Sequence, residues 1–202
     1  HTFVQENREL TRLTAQVRHL AAQIEALPGD GDAAPLMQAI HPLLNDLMDV
    51  EKHYRRKENL LFPYFEKSNL PGPPAVMWGK HDQARDLLKG TVEAFQQVAH
   101  ITAAEAAAFN QFTLLPALDA IDEMVYKEEK ILFPTALDLL TEQDWYEIYL
   151  QSDPYGYCLY APEFEWAPQG GPAGQAQKPA APDGRHHLCR PRRHRPLLQP
   201  RP

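Results

Sequence analysis

Histidines and glutamates set at helical spacings are the residues of this 202-residue chain whose chemistry stands out. A short internal repeat carries three of the glutamates: Lys57-Glu58-Asn59-Leu60-Leu61-Phe62-Pro63 returns 71 residues later as Glu128-Glu129-Lys130-Ile131-Leu132-Phe133-Pro134. Charged carboxylates on an apolar helix stripe are costly to bury unless they are paired or bound to metal. Glu58 lies near Tyr54 and Leu61, and Glu128 lies between Val125 and Leu132, so both face partly inward. His53 precedes Glu58 by five positions, about 140° around a helix, a separation that lets the two straddle an ion. His81 sits on an apolar stripe between Met77 and Ala84, and His1 begins the chain. Neutral imidazoles and carboxylates without thiolate suit iron, manganese or zinc. The metal-free alternative pairs the glutamates with Lys57, Lys127 or Lys130 and leaves His81 as a core residue.

These residues need helices to bring them together, and the apolar period supplies four. Leu10, Leu13, Val17, Leu20, Ile24 and Leu27 recur at spacings of three and four, the face of a packed helix, until Pro28-Gly29-Asp30-Gly31 stops it. A second helix is expected from about Ala34, with Leu36, Ile40, Leu43, Leu47, Val50, Tyr54 and Leu61 inward, closing at Pro63 and Pro71-Gly72-Pro73-Pro74. A third runs from about Ala75 to His100. The fourth begins near Thr102, turns Phe112, Leu118, Ile121, Val125 and Leu132 inward, and reaches Leu140 despite Pro116 and Pro134. Thr141 reads as the N-cap of a short extra helix through Leu150, with acidic residues in its first turn. The expected fold is therefore all-α, an up-down four-helix bundle with a short extra helix and a disordered C-terminal tail. In that topology the start of helix one, the end of two, the start of three and the end of four share one end. His1, His53 with Glu58, His81, and Glu128 with Glu129 all fall there, and they are the candidate metal ligands. His19, His41 and His100 fall elsewhere.

Composition bounds the function. Residues 1–166 hold 13 basic and 26 acidic side chains, whereas 167–202 hold 7 and 1, and an acidic body argues against nucleic acid. Cys158 and Cys189, the only cysteines, lie outside any CxxC pattern, which argues against a disulfide framework or a thiolate site. No apolar run reaches membrane-spanning length, so a soluble, cytoplasmic protein is expected. Three regions are expected: 1–150 the metal-binding bundle, 151–166 a connector towards a further domain, and 167–202 a disordered Pro/Arg-rich tail. That tail, which with Pro162 holds 9 of the 19 prolines, reads as an out-of-frame translation of a GC-rich gene or as a basic interaction tail.

Four motifs together resemble the hemerythrin-like HHE cation-binding family, in the branch where the bundle precedes a PAS sensory domain. They are His1-Thr2-Phe3 before Glu6-Asn7; His53 to Pro63; Val76-Met77-Trp78-Gly79-Lys80-His81-Asp82; and Tyr126 to Pro134, with Asp153-Pro154-Tyr155-Gly156-Tyr157 following. The resemblance implies a non-haem iron centre, mono- or dinuclear, ligated by His1, His53, Glu58, His81 and the Glu128/Glu129 pair. It also implies a small diatomic ligand, oxygen or nitric oxide, or a response to redox state or iron, in a signalling protein. Met124 stands where the family usually has a histidine, and the third helix offers only His81 where it can supply two, so reversible oxygen transport is not expected. A di-iron redox enzyme and a metal-free structural bundle are the competing readings, and an enzyme ranks below a sensor because no acid or base apart from the ligands stands out.

Overall fold

The apolar stripes form the expected helices in the computed structural model, which describes residues 2–95, 101–162 and 165–168. Helix α1 is Thr2–Glu25. Helix α2 spans 34–67 with a turn at 48–49, α3 is Gly72–Phe95, α4 spans 103–139 and α5 is Glu142–Ser152. Among the described residues there is no strand, only an isolated bridge between Asp32 and Thr102. Helix α1 packs on α2 and α4, and α3 packs on α2 and α4, which closes a four-membered ring around Leu10, Val17, Ile24, Ile40, Leu44, Leu61, Leu88, Leu118 and Ile121. Both Thr102 and Thr141 open their helices with reciprocal capping boxes, to Glu105 and Asp144. No helix among the described residues is long and apolar enough to cross a membrane.

Three prolines shape the long helices. Pro63, Pro116 and Pro134 each follow a π-helical turn, Lys57–Leu61, Asn110–Leu114 and Glu128–Leu132. Proline has no N–H and its ring collides with the carbonyl four residues back. Widening the preceding turn absorbs that clash: Phe62, Leu115 and Phe133 each donate to the carbonyl five residues back, at Lys57, Asn110 and Glu128. Helix α2 thus continues past Pro63 to Lys67 instead of closing there. Pro42 is passed without such a turn, so proline permits the widening but does not compel it. Each π-turn also shifts the phase of the inward stripe. Phe112, expected inward, is 75% exposed because the turn carries Asn110 and Leu114 to the core instead.

Leu118→Ala, at a site fully enclosed by the bundle, is expected to lower the unfolding free energy by about 2–5 kcal/mol. Phe112→Ala is expected to change it by no more than about 0.5 kcal/mol. Denaturant unfolding of the two variants checks that Leu118 faces inward as expected and Phe112 does not.

Candidate metal centre

The π-turns of α2 and α4 face each other, and the side chains around them form a buried polar chamber. His53, on the last α-helical turn before Lys57, is fully buried. Its Nδ1 lies 2.8 Å from Glu6 Oε2 on α1, and its Nε2 lies 2.9 Å from Glu128 Oε2 on α4. Both contacts are hydrogen bonds only if each ring nitrogen carries a proton, and a cation at Nε2 would replace one of them. Glu128 is buried, with its second oxygen, Oε1, taken by the Lys57 ammonium. His81 on α3 is also buried; its Nδ1 lies 2.7 Å from Glu58 Oε1, and Arg85 Nη2 donates to Glu58 Oε2 at 2.8 Å. The His81 ring is stacked between Tyr54, 4.1 Å away, and Phe62, 5.8 Å away.

Glu6 closes the chamber on the α1 side. Arg56 forks onto both its oxygens, at 2.8 and 3.0 Å, and the Cys158 N–H donates to Oε1 at 2.7 Å. The guanidinium lies between the rings of Phe3 and Tyr157, 4.5 and 4.7 Å from their centroids, and donates to the Gly156 carbonyl. Residues 153–158, expected to lead away as a connector, thus fold back and supply part of this wall. Cys158 is fully buried.

Burial sets the protonation of the group. It alone would raise the carboxyls of Glu6, Glu58 and Glu128, but neighbouring cations and hydrogen bonds prevail and hold all three below the ordinary carboxylate range. His53 and Arg56 act on Glu6, His81 and Arg85 on Glu58, and Lys57 and His53 on Glu128. Burial pulls the Lys57 ammonium down against the attraction of Glu128. Burial, then the Lys57 charge, pulls His81 down to about 4, so its ring is neutral near pH 7.

The expected ligands are therefore not one group. His53 and Glu128 meet directly, and His81 with Glu58 forms a second pair. Glu129 is exposed, one residue and about 100° around the helix from Glu128. His1 lies outside the described residues, as does His100, while His19 and His41 are exposed. Trp78 and Tyr126 are exposed as well, at 42% and 63%. Glu6, Arg56 and Lys57 were not among the candidate ligands. Their signal was periodic: Glu6 lies between Phe3 and Leu10 on the α1 stripe, and Lys57 is four residues from both His53 and Leu61.

A match to the hemerythrin HHE cation-binding domain covers residues 1–136. The chain belongs to that family. A comparison with curated proteins found no match.

Whether this HHE domain's own residues suit a cation rests on three observations. His81 Nε2 is buried with no hydrogen-bond partner among the described residues, a free lone pair on a neutral ring. Each histidine has its other nitrogen fixed by a buried carboxylate, the arrangement that orients metal-binding imidazoles. Donors bound at about 2.1 Å and at right angles lie about 3 Å apart, and His53 Nε2 to Glu128 Oε2 spans 2.9 Å. Among the described residues, no three His, Cys, Asp or Glu side chains form a group that could hold an ion, and Lys57 keeps one Glu128 oxygen engaged. The donors present are the unpartnered His81 Nε2 and the His53–Glu128 pair, and these are the residues that would hold an ion.

Two outcomes test this wiring. Arg56→Met leaves Glu6 buried without its guanidinium and is expected to cost about 3–5 kcal/mol of stability, read by denaturant unfolding. Because His81 takes up its proton less readily folded than unfolded, metal-free protein is expected to lose stability as pH falls from about 6.5 to about 4. Thermal melts across that window should show a shallower decline in His81→Phe.

Proposed function

We propose that the chain is a non-haem iron-binding module that senses a diatomic gas, oxygen or nitric oxide, or redox state, within a signalling protein. The observation that carries the reading is the pair of buried histidines, each aimed by a carboxylate, in a cation-binding family. His53, His81 and Glu128 hold the metal in this proposal, while Glu6 and Glu58 orient the two rings. Bound iron would supply an open coordination position and a change of charge on oxidation.

The chain's own residues provide a path for that charge. The Glu6 carboxylate touches His53 on one side and the Cys158 N–H on the other, and Arg56 joins Glu6 to Gly156. A changed field at His53 therefore acts through hydrogen bonds on the segment leaving the bundle, which is where a signalling output would attach. Glu6, Glu58 and Glu128 are held ionised and their cations are engaged, which leaves none of them poised as a proton donor and favours sensing over turnover.

A second reading, a metal-free structural bundle, is favoured by the one-for-one matching of Glu6, Glu58 and Glu128 with Arg56, Arg85 and Lys57.

The full chain, incubated anaerobically with ferrous iron and desalted, is expected to retain iron. His53→Ala and His81→Ala are expected to lose most of it, and added nitric oxide is expected to change the optical spectrum. Retention of no iron by the unaltered chain would leave the metal-free bundle. Sustained consumption of nitric oxide or oxygen with a reductant would make it an enzyme.

A further inference from the structure

The internal repeat aligns Lys57 with Glu128: they are the first residues of the two copies. The structure brings these equivalent positions face to face, each on the first residue of a π-turn, and joins them as a buried ion pair. Pseudo-twofold symmetry would place like residues there. A carboxylate at both positions would give one glutamate from each of two facing helices, part of the ligand set that holds two metals in bundle cores. This chain has one carboxylate and one ammonium.

Glu128 divides its oxygens accordingly. Oε2 faces the His53 imidazole and Oε1 faces Lys57. The lysine has no exposed surface, and its ammonium lies 4.6 Å from the centre of the Tyr54 ring. Among the described residues the other two buried glutamates, Glu6 and Glu58, are matched by the guanidinium groups of Arg56 and Arg85, whereas the ammonium that answers Glu128, beside the His53 ring, is that of Lys57. We propose that the Lys57 ammonium takes the place of a second metal ion, so that the chamber holds one metal and one tethered cation. The proposal rests on the metal-binding reading and narrows it to a mononuclear centre.

The test compares the unaltered full chain with Lys57→Glu and Lys57→Met, loaded anaerobically with ferrous iron, by elemental analysis and by melts of the metal-free and loaded proteins. The expected count is about one iron per chain for the unaltered protein and about two for Lys57→Glu, in which a second facing carboxylate replaces the tethered cation. Metal-free Lys57→Met is expected to melt below the unaltered protein, and iron to narrow the gap by replacing the missing charge. Two irons in the unaltered chain would overturn the lysine's role and leave the metal-binding reading standing. The same follows if both variants hold one iron and loading does not narrow the gap. If the unaltered chain takes none, the metal-binding reading falls: iron uptake by Lys57→Glu would then keep the lysine as the resident cation, and no uptake by either would overturn both. Should Lys57→Glu fail to fold, the Lys57→Met melts decide.

Discussion

A carboxylate removed from water must be met by positive charge and hydrogen-bond donors, and Glu6 is where this constraint binds the molecule together. It has no exposed surface, and the groups that answer it come from distant parts of the chain: His53 and Arg56 on α2, and the backbone N–H of Cys158 beyond α5. Losing any of them exposes the others to an uncompensated charge in a medium that screens poorly. The same rule then fixes Glu58 between His81 and Arg85, and Glu128 between His53 and Lys57. Chamber geometry follows from pairing as much as from helix packing.

The π-turns make this pairing possible within otherwise ordinary helices. Lys57 and Glu128 each open such a turn, and each turn accommodates the proline that follows it. The wider turn lets α2 and α4 run on past the chamber, with Phe62, Phe65 and Phe133 buried in the turns that follow it. Tyr54 and Phe62 then hold the His81 ring between them, which leaves the imidazole little rotational freedom.

The helices were legible in the sequence because the apolar period survives along each of them, and the repeat pointed to the right pair of turns. His53, His81 and Glu128 were legible as inward-facing groups at one end of the bundle. Phe112 was misplaced because a straight 3.6-residue period cannot anticipate the residue that a π-turn adds. The inward placement of Glu6 and Arg56 is not legible because charged residues on a helix ordinarily mark its wet side, and only their partners, up to 152 residues away, reveal them as interior; Lys57 is legible as a partner for a glutamate but not as a buried one. Glu129 shares a candidate pair with Glu128 in the sequence, but one residue turns it about 100° around the helix and out to solvent.

The Cys158 contact changes what counts as one folding unit. The family match stops at residue 136, yet the donor that completes Glu6 lies 22 residues beyond it, and Tyr157 covers one face of Arg56. A boundary drawn by resemblance and a boundary drawn by hydrogen bonding therefore disagree. Cutting at the first would strip the interior carboxylate of a main-chain donor that no side-chain substitution restores.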